Sequence, residues 1–184
     1  IGGSLATINT ISDSSTNDAT WTITNLKSGQ VLSGMKKIDF TNFQNISAGN
    51  GINTLKRTNS NDETWSLTDP YSGSTRNSQI TFANIQKIIG SSRYNDIFIF
   101  TKDILFSSEQ DALDGGQIGH NKIIGPNTDN FWVIASSVEG SINPNHLGNT
   151  SFCNIQILQG NDKDDIFSFN NGVNFSGIID GEGG

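Results

Sequence analysis

An internal repeat constrains this chain more than any other feature. WTITNLKSG begins at Trp21, WSLTDPYSG at Trp65 and WVIASSVEG at Trp132, and Gly29, Gly73 and Gly140 each fall eight residues after their Trp. A second pattern, F-x-N-x-Q, recurs as FTNFQNI from Phe40, FANIQKI from Phe82 and FCNIQIL from Phe152. Repeats of this kind build arrays in which each unit buries its apolar face only against its neighbours. The chain is therefore one repeat region, divided into the tail of a preceding unit (1–20) and units at 21–64, 65–131 and 132–184. IGGSLATINTI at 1–11 matches LDGGQIGHNKI at 113–123, and GIIDGEGG from Gly177 matches the ALDGG junction, so both ends read as pieces of a longer tandem array.

Spacing turns the repeat into a geometry. Trp65 lies 44 residues after Trp21, and Trp132 lies 67 after Trp65, a difference of 23. A solenoid with coils of about 22 residues can lose one coil and keep every other strand in register. The first unit lacks the NDIFIFTKDILFSSEQDALDGG of residues 95–116, which is the size of that coil. WTIT, WSLT, IDFTNF, ITFANI, DIFIF, DIFSF and FWVIA are short, aromatic or β-branched, and bounded by Asn, Gly, Ser and Asp, as strands are. The nearest approach to a helix, 102–113, holds no stripe at a 3.6-residue period. The expected fold is all-β: a parallel β-helix, or β-solenoid, in which each strand lies above its equivalent in the coil below.

Composition narrows the partners. A net charge of −7 and a pI near 4.6 oppose binding to nucleic acid or an anionic membrane, both of which demand a basic face. No apolar run reaches eighteen residues, so no membrane-spanning helix is expected. The single Cys153 excludes an intrachain disulfide framework and aligns with Thr41 and Ala83, as a small residue in a strand.

The repeated positions suggest roles. Trp21, Trp65 and Trp132, with Phe40, Phe82 and Phe152, belong to the core; carbohydrate stacking is the rival role for the Trp. Asn42, Asn84 and Asn154, with Gln44, Gln86 and Gln156, stand two residues apart and would share one strand face, forming a ladder of amides between coils. That assignment puts Phe40, Phe82 and Phe152 on the same face and Phe43, Ile85 and Ile155 on the other. No catalytic group repeats. His120 and His146 are isolated, and Asp111 with Asp114 reads as a pair of turn acids, so no enzyme is expected. A polysaccharide-lyase-like β-helix is the catalytic alternative.

Asp96 and Asp165 open DIFIF and DIFSF after Gly-rich turns, and here the sequence resembles the haemolysin-type (RTX) calcium-binding repeat. Together with W-x-I/L-T, F-x-N-x-Q-x-I and the IDGG junction, the pattern is similar to the degenerate repeats of large bacterial surface or secreted adhesins of the filamentous-haemagglutinin-like kind. The resemblance implies secretion or display on the bacterial surface, and a role as a long adhesive stalk or scaffold. Its partners would be further copies of the same repeat or protein, end to end, or alternatively a surface glycan. Calcium is the one cofactor it brings in, with Asp162, Asp164, Asp165 and Asp180 as candidate ligands. Asn9, Asn53 and Asn121 stand where the calcium repeat has Asp, which removes charge that a hard divalent ion favours.

Overall fold

The structure, a computed structural model, describes residues 8–58, 61–144 and 146–184. Residues 1–7 of the segment matched above to 113–123 lie outside the described residues. Among those described there is no helix, and the strands wind into a parallel β-solenoid of about five turns.

Turns between the strands carry the chain back and forth between two sheets. It starts in the first sheet with β1 (Thr10–Ser12), then crosses to the second for β2 (Ala19–Asn25), β3 (Ser28–Ser33) and β4 (Lys36–Phe40). It returns for β5 (Asn45–Ser47), crosses for β6 (Asn53–Arg57), and comes back for β7 (Glu63–Asp69), β8 (Ser72–Thr75) and β9 (Thr81–Ala83). Single strands then alternate between the sheets: β10 (Lys87–Ile89), β11 (Asp96–Phe100), β12 (Leu113–Asp114) and β13 (Lys122–Ile124). A third set in the second sheet, β14 (Asn130–Ile134), β15 (Gly140–Pro144) and β16 (Thr150–Cys153), precedes β17 (Ile157–Gln159), β18 (Asp165–Phe169) and β19 (Ile178–Asp180).

The Trp units are not stacks of equivalent coils. Each opens an antiparallel three-stranded meander lying within one sheet: β2-β3-β4, β7-β8-β9 and β14-β15-β16. The first strand of each meander pairs forward in parallel, with β6, β11 and β18, while the last strands of the second and third pair back, with β5 and β12. Plain coils are short, with Ile157 beside Ile178 and Ile97 beside Lys122, 21 and 25 residues on. The block 95–116 holds β11 and β12, one strand in each sheet, and so adds one complete coil. Because simple strands come in pairs between meanders, successive meanders fall on opposite sheets.

The core lies between the sheets. In β7, Glu63, Trp65 and Leu67 face inward while Thr64, Ser66 and Thr68 face out. The 102–112 stretch buries Ile104 and Phe106 without forming a helix, and the Phe106 carbonyl accepts the N–H of Tyr71 at 2.9 Å. On the outside of the first sheet, Asn45 donates to Thr10 Oγ1 at 3.3 Å and accepts from Thr81, a polar ladder across three strands.

Candidate functional site

The eight-residue Trp-to-Gly spacing is a hairpin register. Leu67 pairs with Gly73, and Gly73 with Phe82; Ile23, Gly29 and Phe40, and then Ile134, Gly140 and Phe152, repeat the arrangement. The Phe ring lies over the Gly, so a Cβ built on Gly29, Gly73 or Gly140 would meet the ring tip at 2.9, 2.7 or 2.8 Å. Gly is required there because the ring, together with the still closer carbonyl of Thr22, Ser66 or Val133 at 2.1, 2.3 or 2.1 Å, fills the space a side chain would need. All three Trp and all three Phe of the motif are buried. Trp65 sits 6.3 Å from Phe82 and Trp21 sits 6.4 Å from Phe40, centroid to centroid.

The next coil clasps two of the three indoles. Asp96 opens β11 beside Glu63 and accepts the Trp65 indole N–H at 2.8 Å, while Phe98, two residues on, stacks on the same ring at 6.1 Å and 11°. Asp165 and Phe167 do the same to Trp132, at 3.1 Å, and at 5.4 Å and 15°. Asp-x-Phe is thus the partner of Trp one coil earlier. Asn53 and Leu55 take these positions in the first unit, and the buried Trp21 Nε1 and Asn53 Oδ1 find no partner among the described residues.

Asn42, Asn84 and Asn154 leave the strand face on which the sequence placed them. Their φ angles are +60°, +59° and +56°, the left-handed conformation that Asn tolerates, and they turn the chain from one sheet to the other. After that bend Ile85 and Ile155 point into the core just as Phe82 and Phe152 do, and Phe43 packs against it. Nor do the amides stack on one another. Gln44, Gln86 and Gln156 each accept, through Oε1, the backbone N–H of Asn9, Asn53 or Asn121 in a neighbouring coil, at 2.8, 2.7 and 2.8 Å. The amides therefore cap turns across coils.

The Gly-rich turns followed by Asp or Asn, read in the sequence as a calcium-repeat resemblance, are corners, and Asn130 belongs with them. A Gly follows a strand, and an Asn or Asp opens the next one on the opposite sheet or immediately precedes it: Gly49 and Asn53, Gly90 and Asp96, Gly115 and Asn121, Gly125 and Asn130, Gly160 and Asp165. These polar residues turn into the corner. Asn53 Nδ2 donates to the carbonyls of Gly49 and Gly51, both at 2.9 Å, and Asn130 Nδ2 to those of Pro126 and Thr128, at 3.1 and 2.7 Å. Gly90 and Gly160 have no room for a Cβ because the carboxylates of Asp96 and Asp165 occupy it, at 2.6 and 2.2 Å.

The calcium candidates do not converge. Asp165 commits one oxygen to Trp132 and Asn130 and the other to the N–H of Asn161, while Asp162 and Asp164 are exposed. Asp180 accepts the N–H of Glu182 at 3.1 Å. Among the described residues no three His, Cys, Asp or Glu are grouped to hold a metal. His120 and His146 are exposed on separate turns, Asp111 is exposed, and Asp114 accepts from Gly116 N–H and Asn154 Nδ2, both at 2.8 Å. Burial, with Asp114 and Asp111 nearby, pushes the Cys153 thiol up to about 12, where it is unreactive at neutral pH.

One buried charge cluster stands apart. Arg57 Nη1 lies 3.6 Å from Glu63 Oε2 with both side chains fully buried, and Glu63 also accepts from Asn77 N–H, Ser78 N–H and Ser78 Oγ at 2.6, 2.9 and 2.7 Å. Burial pushes the nearby Asp96 up to about 6, against the pull of the Trp65 indole, the Ser91 N–H and the Arg57 charge. No family model, curated protein or solved structure matches the chain.

Proposed function

We propose that the chain is a structural segment of a large extracellular bacterial adhesin or fibre, serving as stalk or scaffold. One observation carries this reading: the polar side chains that recur with the repeat are engaged in holding coil to coil. Asp96 and Asp165 clasp the indole of the coil before them, Gln44, Gln86 and Gln156 cap backbone N–H groups of a neighbouring coil, and Asn53 and Asn130 close corners. A repeat whose polar positions carry cohesion supplies length and resistance to proteolysis.

Ten strands at about 4.8 Å each make the longer sheet roughly 45 Å deep. The test is small-angle scattering together with limited proteolysis. A compact rod whose strands withstand protease is expected; rapid cleavage within the strands would overturn the scaffold reading.

A second reading, a glycan- or calcium-binding surface, draws on a groove of about 350 Å³ lined in part by Lys56, Ser92, Asp114, Gln117 and Asn154. Melting curves with calcium or with chelator are expected to coincide, because the corners are closed by amides and carboxylate-to-N–H bonds. A large calcium-dependent rise in Tm, or selective retention on a glycan panel, would move the assignment to this second reading.

A further inference from the structure

Asn–Gly occurs twice in the chain, at Asn50–Gly51 and Asn171–Gly172. The pair is chemically distinct, because a residue without a side chain leaves its own amide nitrogen open to attack the preceding Asn. Both Asn are exposed, so access to water does not separate the two sites. The residues that follow are Ile52 and Val173, each β-branched, so local sequence does not separate them either. Backbone restraint does.

Asn171 and Gly172 form the tip of a β-turn between β18 and β19. The Val173 N–H donates to the Asn170 carbonyl at 3.1 Å, and the Asn170 N–H to the Ile134 carbonyl at 3.0 Å, so the base of the turn is held. The tip is not. Gly172 has φ +77°, the value that places Gly at the third position of a type II turn, and nothing lies within 4 Å of its Cβ position. Among the described residues neither the Gly172 N–H nor the Asn171 side chain has a hydrogen-bond partner. Asn50–Gly51 lies instead in the corner between β5 and β6. There the Asn50 N–H donates to the Ser15 carbonyl at 2.9 Å, the Ile52 N–H to Asp18 Oδ1 at 2.8 Å, and the carbonyls of Gly49 and Gly51 both accept from Asn53 Nδ2 at 2.9 Å. Gly51 is packed against the coil before it, where a Cβ would meet the Asn17 carbonyl at 2.3 Å.

We infer that Asn171 is a site of spontaneous covalent modification, deamidation through a succinimide, and that the same dipeptide at Asn50 is protected by the fold. The Gly172 nitrogen attacks Asn171 Cγ, a new C–N bond closes a five-membered imide, and the side-chain nitrogen leaves as ammonia with the proton that Gly172 gives up. Water then opens the imide at either carbonyl, which leaves Asp or isoaspartate at this position. Water is the only co-reactant. The net change replaces NH by O and adds one negative charge, and the isoaspartate form also inserts one methylene into the main chain. β18 and β19 keep their pairing with β14 and β17, because residues 170–173 lie outside both strands. The corner at Asn50 cannot close the same ring without swinging the Asn50–Gly51 peptide away from Ser15, Asp18 and Asn53. This chemistry goes beyond the scaffold reading and does not rest on it.

Peptide mapping by mass spectrometry tests it, on the chain incubated at mildly alkaline pH, once in native buffer and once in urea. In urea both Asn are expected to deamidate at similar rates. In the native chain Asn50 is expected to react at least about tenfold more slowly than Asn171, because the corner must open locally first. Asn171→Gln, whose longer side chain would have to close a six-membered ring, is expected to abolish the main acidic species that ion exchange resolves from the native protein. Native Asn171 that stays amidated while the unfolded chain reacts, or native Asn50 that reacts as fast as Asn171, overturns the inference. A rate difference of the same size in urea overturns it as well, since local sequence and not the fold would then set it. None of these outcomes touches protease resistance, so the scaffold reading stands or falls separately.

Discussion

Gly73 has almost no room for change. A Cβ there would sit 2.3 Å from the Ser66 carbonyl and 2.7 Å from the Phe82 ring, and its φ is not in the left-handed region, so the obstacle is purely steric. Gly73→Ala must therefore push paired strands away from each other, an overpacking cost of about 1–3 kcal/mol. Gly181 has nothing within 4 Å of its Cβ position, and Gly181→Ala is expected to change stability by no more than about 0.5 kcal/mol. Urea denaturation of the two variants checks the contrast; equal midpoints would mean that the Gly under the Phe ring is not sterically required. Gln86 offers a chemical counterpart. Gln86→Leu orphans the Asn53 N–H, at about 1–3 kcal/mol, whereas Gln86→Glu keeps an acceptor and should recover most of the loss at neutral pH. If Leu and Glu were equally destabilising, the capping bond would not be the reason for the Gln.

At the scale of the element, the block 95–116 is a natural deletion. Without it Tyr94 joins Gln117, β7 meets β13 and β10 meets β16, so both sheets close over the gap in parallel. Asn121 then falls beside Glu63 in place of Asp96, which recreates the arrangement that Asn53 and Trp21 already have in the first unit. The deleted protein is expected to fold cooperatively with a lower Tm, because buried Phe98, Phe100, Ile104 and Phe106 are lost. Removing 102–114 alone takes out one crossing. Every later strand would then belong to the opposite sheet, and no cooperative melt by circular dichroism is expected.

The same elements show what the sequence could convey. Strand content, the one-coil difference between the units and the buried Trp and Phe follow from alternation and spacing, which are local or strictly periodic. The two-coil and three-coil lengths do not hold, because each Trp strand opens a meander within one sheet and successive Trp strands lie on opposite sheets. The meander was hidden, because Trp-strand, Gly-strand and Phe-strand look alike whether they stack as coils or fold back within one sheet. What separates the two cases is the Gly under the Phe ring, a contact across a pair of strands. The Trp-to-Asp clasp was hidden for a similar reason. Its members are 31 and 33 residues apart, and Asp96 and Asp165 resembled calcium ligands until their oxygens were found on indole N–H groups. The left-handed Asn42, Asn84 and Asn154 broke the face assignment because a period of two fails at the residue where a strand ends.

Across the whole molecule, the chemistry that distinguishes one region from the rest is the buried group of Arg57, Glu63 and Asp96, where β6, β7 and β11 meet. Burial also lowers the pKa of Arg57, with the charges of Glu63, Asp96 and Asp62 opposing that shift. Asp96 titrates near 6 in the folded chain, against about 3.9 for an unfolded Asp. Between those values the folded state holds a proton that the unfolded state has released. The contribution of Asp96 to stability is therefore full below about pH 4 and is lost as pH rises through about 6. In Asp96→Asn that dependence disappears, although the variant pays separately for placing an amide where the Ser91 N–H needs an acceptor. The measurement is the difference in unfolding free energy between wild type and Asp96→Asn across that range. Wild type should gain on the variant as pH falls from about 7 to about 4, and the difference should level off above about 7. A flat difference throughout would mean that the corner carboxylate stays ionised, held by Trp65, Ser91 and Arg57 more strongly than burial opposes it. Because Asp96 joins β11 to β7 near the middle of the first sheet, the gain on acidification would appear in global unfolding and not only in fraying at the ends.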